Sequence, residues 1–116
     1  MSQIGSYSII VNQAKKSIDM SVKGTFTPQQ AESFHKDYQS KVASINASNF
    51  ILKVDCKDMN IITQDMLPAL EVSFKMYKES QFNKVEFIIQ KSPVVKMQLN
   101  RIARNTGLLN SEVVEV

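Results

Sequence analysis

The chain has 116 residues, of which 43% are hydrophobic and 22% charged, with 14 basic against 11 acidic side chains and a net charge of +3. That length supports one domain spanning residues 1–116 with one core that needs no disulfide or metal. The mild, scattered positive charge does not point to nucleic acid, and the single cysteine, Cys56, excludes an internal disulfide framework.

Residues 7–11 (Tyr-Ser-Ile-Ile-Val) form a short β-branched run that suits an edge strand. Ile18, Met20 and Val22 alternate with Asp19, Ser21 and Lys23, the period of a strand with one buried face. Lys15 and Lys16 between the runs suit an exposed hairpin connection, and Gly24 ends the second strand. Thr27, Pro28 and Gln30 mark a helix start, with Thr27 as cap, Pro28 in the first turn and Gln30 where a capping box places Glu or Gln. Ala31, Phe34, Tyr38, Val42 and Ile45 continue from it as one apolar stripe.

A polar break at residues 46–49 precedes a nearly continuous apolar strand at 50–55, of the kind found centrally in a sheet. A second helix is expected from about Asp65 to Ser80, with Leu67, Leu70, Phe74 and Tyr77 on one face. Residues 85–89 read as another central strand. Ser92 and Pro93 then start a third helix, Val95, Leu99 and Ile102 give its apolar face, and Gly107 stops it. Residues 113–116 can add a last strand. The order β-β-α-β-α-β-α-β predicts an α/β domain with a mixed, mostly parallel sheet and helices mainly on one face.

Chemistry-bearing motifs are few. There is no Gly-rich phosphate loop and no Gly-Lys-Ser/Thr sequence. One histidine, His35, and one cysteine on separate elements supply neither a metal cluster nor a Cys-His nucleophile pair. Cys56 reads as a small buried hydrophobe. Asp55 and Asp58 stand at a strand end, where solvated carboxylates are expected rather than a shared cation. Lys91, Lys96, Arg101 and Arg104 cluster around the third helix, as a solvated face or as a patch for an acidic partner. Met59, Met66, Met76 and Met97 suit core filling or an adaptable contact surface. The residues therefore predict no catalytic site, no cofactor and no metal. With no basic leader and no run of roughly 18 apolar residues, a cytoplasmic protein without direct membrane insertion is expected.

From about Ser6 onward, the order of elements and the residues at their junctions resemble the STAS domain shared by sulphate transporters and anti-sigma factor antagonists. Val22-Lys23-Gly24 is similar to the family's second-strand end. Leu52-Lys53-Val54-Asp55-Cys56-Lys57 is similar to its Leu-Asp-Leu-Ser third-strand end. Ser92-Pro93-Val94-Val95-Lys96-Met97-Gln98-Leu99 and Gly107-Leu108 match its last helix and the turn after it. Ile61 and Ile62 hold the apolar pair before the family's Asp-Ser-Ser-Gly-Leu-Gly turn, but here Thr63-Gln64-Asp65-Met66-Leu67-Pro68 replaces that turn.

The resemblance implies non-enzymatic protein-protein recognition in bacterial regulation, with a kinase-like anti-sigma factor or a sensor protein as partner, and it leaves room for a homodimer. Its alternative is an accessory subunit of a lipid or solute transport system, or a small-ligand binder. The implied contact surface is the loop carrying Asn60, Ile61, Thr63, Gln64, Asp65 and Met66, with residues 24–27 beside it. Where the family carries its phosphoacceptor serine, this chain has Asp65. Asp65 is open to two readings, a partial imitation of phosphate with about one charge against nearly two, and a helix cap. Thr63 matches the family's Asp rather than its serine.

Overall fold

Alternating side chains build the first hairpin. In the computed structural model, which describes residues 6–23, 28–57, 64 and 67–116, β1 (Ser6–Asn12) and β2 (Ser17–Lys23) pair antiparallel. The register sets Tyr7, Ile9 and Val11 opposite Val22, Met20 and Ile18, which puts their apolar side chains on one face. The connection has no Asn-Gly pair. Instead the Asn12 side chain accepts the Lys15 N–H at 3.0 Å, and Lys16 takes a positive φ of 53°.

Three crossovers follow. α1 (Pro28–Val42) leads to β3 (Ile51–Asp55), α2 (Leu67–Ser80) to β4 (Lys84–Ile89), and α3 (Pro93–Thr106) to β5 (Ser111–Glu115). Among the described residues the sheet has five strands in the order β1-β2-β3-β4-β5, parallel from β2 onward. Each crossover steps in the same direction, and right-handed connections of that kind lay every helix on the same face. Side-chain contacts mark that face. Phe34 of α1 meets Tyr7 edge-on at 5.2 Å, and Phe74 of α2 stacks on Phe87 at 4.7 Å. Lys96 of α3 reaches Glu115 at 3.3 Å. Tyr7, Phe87 and Glu115 all belong to the set in register with the buried Ile9, Met20, Leu52, Val54, Val85 and Ile89.

The core therefore lies between one sheet face and three helices, and the expected α/β class with a mixed, mostly parallel sheet is present. The opposite sheet face carries Asp19, Lys53, Glu86 and Glu112 in one transverse row, the polar pattern of a sheet face without a covering layer. Several boundaries differ from the sequence expectation. α1 ends at Val42, so Ile45 lies past it while still packing partly buried on the core. The polar break at 46–49 folds into a 3-10 turn, Ala47–Asn49, whose Ala47 is buried. Phe50 is buried just ahead of β3 rather than within it, and β5 begins at Ser111 rather than Val113.

Candidate functional site

The loop singled out from sequence leaves the sheet at the carboxyl end of β3. Leu52 and Val54 point under the helices and are buried, as is Cys56 immediately after the strand. The Cys56 N–H donates to the Ile88 carbonyl at 2.7 Å, so the strand end stays tied to β4. Asp55 then turns the chain outward: its Oδ1 accepts the Lys57 N–H at 3.0 Å, the side-chain-to-backbone bond of an Asx turn. Lys57 Nζ lies 3.8 Å from the same carboxylate in an exposed pair, so Asp55 is engaged in shaping the turn.

Of the six predicted contact residues, Gln64 is placed and is exposed. Asn60, Ile61, Thr63, Asp65 and Met66 lie outside the described residues, as do Asp58 and the neighbouring stretch 24–27. The far side of the loop is fixed by α2, whose described part begins at Leu67, while the expected start at Asp65 lies outside the described residues. Phe74 and Tyr77 anchor that helix, both buried against Phe87. A buried strand end and a core-anchored helix thus stand on either side of the exposed Gln64. The carboxyl ends of β2, β3 and β4 and the first turns of α2 and α3 all gather at this edge.

The reactive groups of the chain are committed elsewhere. Burial, and next to it the Asp55 carboxylate, push the Cys56 thiol up to about 12, which leaves it protonated and inert at neutral pH. His35 of α1 lies with Nε2 2.8 Å from Ser73 Oγ of α2, a Ser-His contact that sequence reading did not find. Ser73 Oγ also donates to the Ala69 carbonyl at 3.0 Å, so the hydroxyl accepts from an Nε2–H and its own proton is not held by the imidazole. The pair joins two helices rather than arming a nucleophile. Tyr38 repeats the device one turn further on, with its hydroxyl 2.7 Å from Ser80 Oγ. Positions 35, 38, 73 and 80 follow helical spacing in the sequence, but nothing in it says which two helices face each other.

Among the described residues no group of three or more His, Cys, Asp or Glu side chains could hold a metal ion, and no helix is long and apolar enough to cross a membrane. Compared with protein-family models and with curated proteins, the chain matches none.

Proposed function

We propose that this chain is a non-enzymatic protein-recognition domain of STAS-like design, which works like an anti-sigma factor antagonist without a phosphoserine switch. The observation that carries the reading is the exposed Gln64, held between the buried end of β3 and the core-anchored α2. The sheet topology supports it. Open α/β sheets take small ligands in the crevice where successive crossovers diverge to opposite faces. Among the described residues this sheet runs in strict sequential order and steps one way throughout, so it has no switch point of that kind. The partner is a kinase-like anti-sigma factor or a sensor protein, met through Asn60, Ile61, Thr63, Gln64, Asp65 and Met66.

The test is site-specific photo-crosslinking in the native cell, with the photoreactive residue at position 64 and, as control, at the exposed Ser48 near the amino end of β3. Position 64 should capture a kinase-like or sensor protein that position 48 does not; equal capture at both, or none at 64, rejects the reading. With that partner purified, Asp65→Ser should tighten binding if Asp65 imitates a phosphate whose charge weakens the contact. If Asp65 serves only as a cap, Asp65→Ser leaves binding unchanged and Asp65→Ala costs about 1 kcal/mol of stability.

A further inference from the structure

α2 and α3 follow parallel strands and lie side by side, so they run in the same direction. Their ends confirm it: a Cβ built on Gly107, just after α3, would stand 2.9 Å from Nζ of Lys78, in the last turn of α2. Each helix buries one stripe and shows another. On α3 the buried stripe is Val95, Leu99, Ile102 and Thr106, and the exposed one, spaced three, four and three apart, is Val94, Met97, Arg101 and Arg104. On α2 the exposed positions are Pro68, Val72, Lys75, Lys78 and Glu79.

The exposed stripe of α3 passes from apolar to cationic, and α2 runs from Val72 to Lys75 and Lys78 in the same sense, with Glu79 as the one exposed acid beside them. Val72, Val94 and Met97 are 48%, 46% and 56% exposed, and Val94 and Met97 lie in the first turns of α3, at the carboxyl edge of the sheet. The cations come later. From Val94 to Arg101, and from Met97 to Arg104, is seven residues, or about 10 Å along the helix. Lys75, Lys78, Arg101 and Arg104 are all exposed, and none is in an ion pair among the described residues. Lys96, on the flank facing β5, is paired with Glu115 and lies apart from this stripe. A favourable helix dipole accounts for a cation in the last turn, which covers Lys78 and Arg104. Lys75 and Arg101 stand before it.

We infer that the joint outer face of α2 and α3 docks an acidic amphipathic helix of a partner protein, apolar where it meets Val72, Val94 and Met97 and acidic about two turns further along. This inference rests on the reading of the chain as a protein-recognition domain and supplies the chemistry of the partner. Charge complementarity selects the occupant. Four cations without internal partners favour carboxylates, and exposed Val and Met side chains at helical spacing fit the anchors of a helix laid across a shallow groove. An anionic membrane fits less well. The apolar part has no aromatic residue, and the cations sit at one end of it instead of flanking it along an interfacial helix.

The experiment uses the full chain and three probes: a synthetic helical peptide with leucine anchors and a glutamate block two turns on, a permuted peptide of the same composition with glutamates interleaved among the leucines, and phosphatidylcholine vesicles containing phosphatidylserine. Amide shifts are followed by NMR at about 150 mM salt, where weak surface steering is screened. The ordered peptide should shift Val72, Val94, Met97 and Arg101 saturably and bind about tenfold tighter than the permuted one. The double variant Lys75→Gln, Arg101→Gln, which leaves the last-turn cations in place, should weaken it at least tenfold while the melting temperature holds. Equal binding of both peptides, shifts centred on the open sheet face, or indifference to the double variant would overturn the inference. Titration of this surface by the vesicles alone would reassign it to membranes. Crosslinking at position 64 is independent of these probes: peptide docking without it removes the loop reading and keeps this surface, and the reverse removes this surface and keeps the loop.

Discussion

A serine in the middle of a helix usually competes with the backbone around it, and Ser73 turns that habit into an interhelical joint. Its proton goes to the Ala69 carbonyl, so its free lone pair takes the Nε2–H of His35 at 2.8 Å. His35 is half-buried, and that desolvation lowers its pKa below the ordinary 6.5. The folded state therefore prefers the neutral ring more than the unfolded chain does. Stability from this source is complete above about pH 6.5 and is lost as the pH falls through the lower folded value. The nearest resolved carboxylate shift, Glu112 held below 4.5 by its hydrogen bond to Lys84, acts at more acid pH with the same sign. His35 is the chain's one histidine, which leaves the interval between about pH 5 and 6.5 to its titration. Urea unfolding across that interval should show wild-type stability falling with acid, and His35→Gln, which keeps a donor toward Ser73, should flatten the fall. An unchanged slope in the glutamine variant would mean that His35 titrates alike in the folded and unfolded chains.

At the scale of elements, α3 shows what local chemistry dictates without help from the rest of the fold. Ser92 accepts the Val95 N–H at 3.3 Å, and Pro93 occupies the first helical position, where a missing N–H costs nothing. Gly107 ends the helix at φ 79°, and Leu108 N–H returns to the Ala103 carbonyl at 2.9 Å. Ser92→Ala should cost about 1 kcal/mol in denaturant unfolding, and Gly107→Ala about 1–2 kcal/mol from the left-handed backbone. The Cβ added at 107 meets only the mobile end of Lys78, so Lys78→Ala should not rescue it; a clear rescue would show that the contact, rather than the φ angle, sets the cost. These ends were legible in the sequence because every group involved lies within five residues of its partner. The alternating strands were legible for the same reason. The end of α1 at Val42 was not, since Ile45 continues the apolar spacing and only its place on the core shows that the helix has already stopped. The His35–Ser73 and Tyr38–Ser80 contacts span 38 and 42 residues and depend on which helices become neighbours. For the candidate loop, sequence singled out six positions, and Gln64 is the one among them whose exposure the described residues give.

Across the whole molecule the sheet is asymmetric, with helices over one face and a row of charges over the other. The parallel register of β4 and β5 sets Glu86 directly opposite Glu112 on the uncovered face, an arrangement of like charges that disfavours pairing. Lys84, two residues before Glu86 on the same face, compensates both. Its Nζ lies 2.6 Å from Glu112 and 3.6 Å from Glu86, and the hydrogen bond to Glu112 raises the lysine pKa while lowering that of the glutamate. Exposed pairs contribute little to global stability, but among the described residues β5 is an edge strand held on one side only, so the consequence is local. In Lys84→Met the two glutamates face each other without the cation that bridges them, and Lys53, opposite Glu86 on β3, lies on the side away from Glu112. Exchange of the β5 amides should accelerate while that of the core strand residues Leu52 and Val54 stays as in wild type. Added salt should restore much of the difference, because the repulsion is solvent-screened. Acceleration spread evenly over β3, β4 and β5 would point to lost global stability instead, and no acceleration in β5 would show that the edge is held by its backbone ladder and by Val113 packed on the core. The same edge carries the Lys96–Glu115 pair that joins α3 to the sheet. A loosened β5 would therefore also disturb the exposed stripe of α3, which makes the edge strand the mechanical support of the inferred docking surface.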